Sequence, residues 1–351
     1  PLKRSPFPGA EGLYMDAKIT KQRLGLLLSY DWIKIIGICA AAVLVWALLF
    51  TTMATRATNG QSFEMYLYPG VSLSSSVNVE TLHTRDENDV LSYDILNFSS
   101  MTLDSSAMDT ILSAHFAAGQ GDVFFAPDTE PTKDEDGNIT AYNGLDDFIG
   151  GYFSNALWLD PDLTVKEHTI ESGGEKKGSF SNYFYDCAQY LNRFYDGGWK
   201  SGTLDEATVR ANFDERMKGD KRYKNEAQRE AGRQKEIVRI QNLRDAFENV
   251  LGWVSSDDEN SPVRIKTTEL SVILESGGEA QTVEWNLSFD LSNIDHLTDF
   301  IGYPGGENGT RIADNLCMVV LNTGSSGEED LRYEPFMLLD YLVTTYDGAA
   351  A

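Results

Sequence analysis

LSYDILNFSSMTLDSSAMDTILSAHFAAGQGDVFF, residues 91–125, is the stretch that decides the fold of this chain. Its first residues, 91–98, predict a strand, and the apolar residues between Met108 and Phe116 recur at helical spacing. Two glycines then stop the helix, and the apolar run at 122–125 predicts a short buried strand. A strand, a helix and a strand joined by short connections form a βαβ unit, which implies parallel strands. The stretch therefore predicts an α/β fold.

The chain after residue 62 supplies further strands and the helices that would flank the sheet. Alternating or continuous apolar residues predict strands, and apolar residues at spacings of three and four predict helices. Strands are predicted at 63–68, 263–274, 282–289 and 317–321, and helices at 182–195, 204–217, 223–253 and from Pro335 onwards.

Ile35–Thr55 is a run of 21 residues without a charge. An α-helix rises about 1.5 Å per residue, so such a run spans a hydrocarbon core of about 30 Å. We therefore expect one transmembrane helix at 34–55. Lys18, Lys21 and Arg23 precede it, and an excess of basic residues on the N-terminal side keeps that side cytoplasmic. The alternative, a cleaved signal peptide, is disfavoured because its apolar core is normally about 7–15 residues long.

The expected helix divides the chain into parts with different surroundings. Met15 is the natural start of a basic leader, so residues 1–14 are expected to be a non-native leader. We expect the protein in the cell membrane, with a single crossing and with the lipid bilayer bound through that one helix. The parts are a cytoplasmic basic segment at 15–33, the membrane helix at 34–55, a polar stalk at 56–62 and an extracytoplasmic α/β domain at 63–351.

The chain is strongly acidic, with 29 basic and 54 acidic residues. Residues 55–351 hold 23 of the basic and 51 of the acidic residues, which gives this part a formal charge of −28. A surface of that charge repels nucleic acid, so we expect no nucleic-acid partner. This part also holds Cys187 and Cys317, and two cysteines imply no disulfide scaffold, although the sequence leaves open whether they are bridged.

The sequence lacks the residue patterns typical of an enzyme or a metal site. His83, His115, His168 and His296 stand singly, without another histidine or a cysteine at ligand spacing. The acidic turn at 132–143 lacks the final glutamate of an EF-hand, so a hairpin turn is the better interpretation. We expect no enzymatic activity, no metal and no cofactor.

A cluster of aromatic residues runs from Tyr152 to Trp199. Flat aromatic faces beside carboxylates and amides are what a sugar-binding cleft uses. Trp158 and Trp199 lie in loop-like contexts, so they are candidate ligand-binding residues. The alternative is that the cluster belongs to the core, and helical spacing favours this alternative.

Residues 216–244 form the one basic region of the acidic domain, with ten basic and four acidic residues. Lys218, Lys221, Arg222 and Lys224 are candidate residues for docking an acidic partner, an anionic envelope polymer or the lipid surface. The alternative is a solvated helix face whose charges pair along the helix. The expected pairs are Glu226–Arg229, Glu230–Arg233 and Glu236–Arg239.

Two segments carry a resemblance to a known family. Residues 111–127, ILSAHFAAGQGDVFFAP, combine a helix that ends in Ala-Gly with a short Asp-Val strand. Near the end of the chain, Tyr303-Pro304-Gly305-Gly306 precedes an apolar strand, a polar turn and a helix from Pro335. In these segments the chain resembles the extracellular solute-binding proteins of ABC importers, of the carbohydrate type with the periplasmic-binding-protein type 2 fold.

The resemblance implies a periplasmic-binding-protein-like, parallel-centred sheet with flanking helices. Because the exterior part is shorter than a typical two-lobed member, the second lobe is expected to be reduced. The cleft would lie at the C-terminal ends of the strands, and an ABC permease or another envelope protein would be the partner. The ligand-binding positions implied by the resemblance are Ser99, Ser100, Ala126, Pro127 and Asp128.

Three functions follow, in order of preference. The first is a membrane-tethered, non-enzymatic protein that binds a small solute, with carbohydrate favoured. The alternative is an envelope structural or scaffolding protein that keeps the fold without binding a ligand. An envelope hydrolase ranks last, for lack of catalytic residues. Solute binding predicts an open cleft lined by Trp158 or Trp199, whereas scaffolding predicts a filled cleft and an exposed patch elsewhere.

Overall fold

The structure is a computed structural model in which two compact units, Pro1–Arg56 and Ala57–Ala351, are distinguished. The predicted leader at 1–14 lies outside the described residues, as does the segment at 15–33 apart from Gly25, Trp32 and Ile33. The structure describes residues 25, 32–53, 57–79, 90–130, 132–133, 139–141, 143–172, 175–272, 281–322 and 329–348.

In the first unit, helix α1 spans Trp32–Met53. Its described apolar side chains are exposed, with Ile38 at 69% and Val43 at 65%. Across the described part of the chain, no helix has both the length and the apolar character that crossing a membrane requires. The membrane helix at 34–55 therefore stays a prediction.

The second unit contains the other helices and all the strands that the structure describes. The α-helices are α2 (Met108–Ala117), α3 (Leu145–Tyr152), α4 (Tyr183–Asn192), α5 (Glu206–Arg216), α6 (Glu226–Val254) and α7 (Glu334–Tyr346). The strands are β1 (Ser62–Leu67), β2 (Ser72–Leu73), β3 (Asn97–Thr102), β4 (Val123–Pro127), β5 (Thr132–Lys133), β6 (Ile139–Ala141), β7 (Glu167–Ser172), β8 (Glu175–Ser181), β9 (Tyr195–Asp196), β10 (Thr203–Leu204), β11 (Arg264–Val272), β12 (Gln281–Asp290), β13 (Ile301–Pro304), β14 (Arg311–Ile312) and β15 (Leu316–Val320). Short 3-10 turns occur at Asn59–Gln61, Phe153–Asn155, Leu297–Asp299, Glu307–Gly309 and Glu329–Leu331.

A six-stranded mixed sheet is the centre of this unit, with the strand order β11-β12-β15-β4-β1-β3. β1 is parallel to both of its neighbours, β3 and β4. β15 is antiparallel to β4, β12 is antiparallel to β15, and β11 is antiparallel to β12. The predicted α/β class with flanking helices is therefore confirmed. The sheet is parallel on one side only, because half of its strands return through antiparallel connections.

The predicted βαβ unit is present, but its first strand is shifted along the chain. The strand lies at Asn97–Thr102 and not at 91–98. Residues 91–95 form a turn in which the Ile95 amide donates to the Ser92 carbonyl at 3.0 Å. Leu91 is buried in this turn, which explains why its apolar pattern resembled a strand. β1 lies between β3 and β4, so the two strands of the unit are parallel without being neighbours.

Apolar side chains on the two faces of the sheet form two core clusters. The strand register places Phe125 beside Met318 in the larger cluster, to which α4, α6 and α7 contribute. It places Phe124 beside Val319 in the smaller cluster, to which α2 and α3 contribute. Side chains alternate between the two faces of a strand, so the continuous apolar run of β4 contributes to both clusters.

The helices predicted near residues 182, 204 and 223 are confirmed as α4, α5 and α6. Each begins at a residue whose side chain satisfies backbone N–H groups of the first turn. Asn182 accepts from Phe184, and Asp205 accepts from Ala207 and Thr208. Asn225 and the residue three positions later form a reciprocal capping box at the start of α6.

Candidate functional site

The ligand-binding positions implied by the family resemblance lie on two separate strands. Ala126 and Pro127 are buried at the end of β4, whereas Ser99 and Ser100 lie on β3, at the edge of the sheet. β1 lies between the two strands, so the two pairs are separated by about 10 Å across the sheet. The structure therefore does not bring these four residues together into one cleft.

The C-terminal end of β4 is covered by its neighbours. Gly144, with φ of 60°, lies so close that a Cβ atom built on it would be 1.8 Å from the carbonyl oxygen of Pro127. Asp128 forms an ion pair with Lys266 of β11, and its backbone amide donates to the Asn315 carbonyl at 2.7 Å. The hydrogen bond that the Lys266 ammonium donates to Asp128 raises the pKa of Lys266. A ligand at this strand end would have to displace these contacts.

Trp158 and Trp199 belong to the core. Their exposed fractions are 5% and 6%, and they lie in different core clusters. Trp158 stacks on His168 with ring centroids 5.0 Å apart, and Trp199 meets Phe247 edge-on at 4.9 Å. The expectation that either indole lines an open cleft is therefore wrong. Their irregular backbone resembled a loop, but packing between distant segments encloses both rings.

The candidate docking residues of the basic region differ in their surroundings. Arg222 is directed inward, because its guanidinium lies 2.7 Å from the carboxylates of both Asp94 and Asp220. Assigning it to a docking surface is therefore wrong. Lys218, Lys221 and Lys224 are exposed, and their docking role stays a prediction.

The expected pairing along α6 is partly confirmed. Glu230 and Arg233 pair at 3.2 Å, and Glu236 and Arg239 pair at 2.8 Å. Glu226 pairs with Arg233 and not with the predicted Arg229. Most arginines of this region pair with carboxylates, which reduces its positive field, whereas Arg229 donates to the Tyr223 carbonyl.

The pair Glu236–Arg239 is the centre of a buried polar cluster that the sequence did not reveal. The side chains of Glu236 and Arg239 are 0% and 1% exposed. Arg216 lies 2.7 Å from the Glu236 carboxylate, and the Tyr93 hydroxyl donates to the same carboxylate at 2.8 Å. Arg239 donates to the Tyr190 hydroxyl at 2.6 Å. We call these five residues the Arg239 cluster.

Electrostatics in the Arg239 cluster favour a charged Glu236 carboxylate and a neutral Tyr93 hydroxyl. Burial by itself raises the pKa of Glu236, but the neighbouring Arg239 and Arg216 outweigh burial and lower the pKa to about 2. Burial, with the nearby Glu236 charge, raises the pKa of Tyr93 and keeps its hydroxyl neutral. Arg239 also donates to the Asp330 carbonyl at 2.6 Å, so the cluster joins α6 to the segment before α7. Its contacts support a structural role.

A cavity of about 790 Å³ forms a groove between α6, α7 and residues 90–93. Val238 lines it and is 51% exposed, more than any other large hydrophobic side chain described in residues 57–351. Asp340 also lines it, and burial, reinforced by the Asp245 charge, raises the pKa of Asp340. This groove is a surface feature formed by α6 and α7, and it is separate from the C-terminal end of β4.

A second cavity, of about 570 Å³, is polar. Ser292, Asn293, Thr298, Arg311 and Asp314 are among its lining residues. The Arg311 guanidinium donates a hydrogen bond to the Thr298 carbonyl at 3.2 Å. The hydrogen-bonding side chains of this cavity have the chemistry of a site for a small polar solute.

The described part of the chain was found to hold no candidate metal site. No group of three or more His, Cys, Asp or Glu side chains there is close enough to hold a metal ion. Cys187 and Cys317 are separate, buried free thiols. Tyr66 is 1% exposed, and its hydroxyl donates to Glu64 at 2.8 Å and contacts His115 Nδ1 at 2.7 Å. His83 lies outside the described residues.

The chain was compared with protein-family models, curated proteins and solved structures. No family model, no curated protein and no solved structure matches it. The resemblance to solute-binding proteins therefore rests on the two short segments at 111–127 and 303–306 and on the helix from Pro335.

Proposed function

We propose that this chain is a non-enzymatic scaffolding protein of the cell envelope, tethered by the helix predicted at 34–55. The observation that carries the proposal is that the residues expected to line a solute cleft are occupied by contacts within the protein. Trp158 and Trp199 are packed in the core, and Asp128 is paired with Lys266, where a solute cleft was expected. Scaffolding requires no such cleft.

Three further observations support this proposal. The groove on α6 and α7 exposes the apolar side chain of Val238 among polar side chains, and exposed apolar surface can mark an interaction site. The exposed apolar side chains of α1 are of the kind that a bilayer would cover. The formal charge of −28 on residues 55–351 keeps such a domain away from anionic lipid and nucleic acid.

Binding of a small polar solute is the second candidate, with an ABC permease as the expected partner. The polar cavity lined by Arg311 favours it, together with the parallel arrangement of β3, β1 and β4. In this case the site would be the polar cavity and not the strand ends.

A thermal-shift screen of the full chain in a mild detergent against mono- and oligosaccharides separates the candidates. A solute at about a hundred times its dissociation constant should add about 2.7 kcal/mol of stability, which raises the melting temperature by several degrees. We expect no shift. A shift that Arg311→Ala removes, while Arg244→Ala keeps it, would support solute binding and overturn the scaffolding proposal.

The tether is tested separately, by adding protease to intact spheroplasts. We expect the domain after residue 56 to be degraded while a short N-terminal fragment stays protected. Release of the intact domain into the medium without protease would contradict the tether.

A further inference from the structure

Arg311 is held in one position beside the polar cavity. It begins β14 and is among the residues that line the cavity. Its Nε donates to the Thr298 carbonyl at 3.2 Å, its Nη1 donates to the Ser72 hydroxyl at 2.9 Å, and its Nη2 donates to the Ser72 carbonyl. A guanidinium carries five N–H donors, so one N–H on each terminal nitrogen has no acceptor among the described residues. The side chain is therefore fixed by its neighbours while two of its donors are free for a ligand.

Arg311 differs from the other enclosed arginines because it has no counter-ion. Every other buried or half-buried arginine in the described ranges has a carboxylate oxygen within 4.0 Å of its guanidinium, whereas Arg311 has none there. Burial by itself lowers the pKa of Arg222, which is also half-buried, but the carboxylates of Asp220 and Asp94 outweigh burial and raise the pKa. At Arg311 burial lowers the pKa, and no carboxylate opposes it. A partly buried charge without a partner is unfavourable, so an anionic group that reaches this guanidinium gains a favourable contact.

The rest of the cavity is rich in hydrogen-bond acceptors. Three carboxylates line it, those of Asp295, Asp314 and Asp347. Asn293 also lines it, and its amide nitrogen donates to the Ser261 carbonyl at 2.9 Å, which leaves the amide oxygen as an acceptor. An ammonium group offers three donors and no acceptor, so it matches these oxygens. With three carboxylates and one guanidinium, the cavity favours a ligand that carries more ammonium groups than carboxylates.

The size and the apolar lining of the cavity suit a short aliphatic chain between those charged groups. Its volume of about 570 Å³ lies in the range of small-molecule sites. Ile312 is half-buried and lines the cavity next to Arg311, where it offers apolar surface to methylene groups. A neutral sugar would leave the Arg311 guanidinium without a counter-ion, so the charges of the cavity select a different class of ligand.

We propose that the polar cavity binds a basic amino acid. The carboxylate of the ligand accepts hydrogen bonds from the two free N–H groups of Arg311, and its ammonium groups lie against the carboxylates of the lining aspartates. The inference goes beyond the proposed scaffolding function and does not depend on it, because the cavity shares no lining residue with the groove on α6 and α7.

Isothermal titration calorimetry of the full chain in a mild detergent tests the proposal, with L-lysine as the probe. L-Norleucine has the same carbon chain without the side-chain ammonium group, and cadaverine has the two ammonium-bearing ends without the carboxylate. We expect L-lysine to bind. Each of the two analogues should bind at least about tenfold more weakly, because a hydrogen bond to a charged group typically contributes that much to affinity.

Two variants locate the groups of the ligand. Arg311→Gln should weaken L-lysine binding at least about tenfold without weakening the binding of cadaverine, which has no carboxylate for Arg311 to hold. Replacing Asp295, Asp314 and Asp347 together with asparagine should also weaken L-lysine binding at least about tenfold. This triple variant leaves the hydrogen bonds from Arg311 to Ser72 and Thr298 in place, so its effect does not depend on how Arg311→Gln folds.

A matched control removes three exposed carboxylates that do not line the cavity. The substitutions are Asp196→Asn, Glu215→Gln and Glu248→Gln. They change the net charge by as much as the triple aspartate variant does. Because exposed charges are screened within about 8 Å at physiological salt, this control should leave L-lysine binding within about twofold.

Equal binding of cadaverine and L-lysine would show that the acidic domain attracts cations without a specific site, and would overturn the proposal. Unchanged L-lysine binding in Arg311→Gln or in the triple aspartate variant would overturn it as well. Residues 349–351 follow the cavity-lining Asp347 closely in sequence, so a chain without them is titrated in parallel. If L-lysine binds only to that shorter chain, the cavity accommodates residues 349–351 and the proposal is wrong. A sugar shift that Arg311→Ala removes counts against scaffolding, whereas a failure of L-lysine to bind either chain overturns only this proposal.

Discussion

Replacing Arg239 with methionine tests the Arg239 cluster most directly. Met is close to Arg in length, so the substitution removes the charge and hydrogen bonds with little loss of volume. It leaves the Glu236 carboxylate, which is 0% exposed, with Arg216 at 2.7 Å as its remaining cationic partner. Removing one partner of a buried ion pair costs about 3–5 kcal/mol of folding free energy. Because Arg216 stays beside Glu236, we expect a loss at the lower end, about 3 kcal/mol. The melting temperature should fall by about 6–12 °C.

Thermal unfolding followed by circular dichroism measures this effect, with Arg244→Met on the same helix as the matched control. Arg244 pairs with Asp245 at the surface, where the two side chains are 33% and 59% exposed. Exposed pairs contribute about 0–1 kcal/mol, so the control should unfold within about 2–4 °C of the parent. If Arg239→Met is no more destabilising than Arg244→Met, the cluster does not stabilise the fold and the reasoning is refuted.

The same variant should change the acid limit of stability. The folded pKa of Glu236, about 2, lies below its ordinary value of 4.5. A carboxyl with a depressed folded pKa contributes stability above the unfolded pKa, and that contribution is lost as the pH falls through the folded value. The parent should lose it between about pH 4.5 and 2. In Arg239→Met the Glu236 pKa rises, so acid unfolding should begin at a higher pH.

Two further predictions concern backbone packing and surface charge. Gly144→Ala should destabilise by about 2 kcal/mol or more, because of its positive φ and the clash with a carbonyl oxygen, whereas Gly150→Ala, which meets open space, should not; urea unfolding measures both. Reversing Lys218 and Lys224 to Glu should change stability by about 0.5 kcal/mol each at most, whereas Arg222→Glu should cost about 3–5 kcal/mol by opposing the buried Asp94. Equal effects of the two reversals would contradict the inward assignment of Arg222.

The elements whose signal is local were predictable. α6 begins and ends within three residues of the helix predicted at 223–253, because apolar spacing and the cap at Asn225 act within one turn of the backbone. β4 and its parallel relation to β3 followed from the glycines that end α2 and from the short connection.

Side-chain surroundings were not predictable, because they depend on segments far apart in the chain. Arg239 meets Tyr190 and the Asp330 carbonyl, 49 and 91 positions away. Trp199 is enclosed by Phe247 of α6, and no pattern near residue 199 reports that contact.

The sequence by itself determined the α/β class, the acidic charge of residues 55–351 and the positions of α2 and α4–α7, since spacing, capping and composition act locally. Only the tertiary structure decided that β1 separates β3 from β4, and that the turn at 91–95 precedes the strand. The buried Ser92 amide donates to Glu334 at 2.9 Å, across 242 positions, and this contact holds the turn against α7. A buried polar group must find a partner wherever the fold brings one, and the sequence alone does not state where that is.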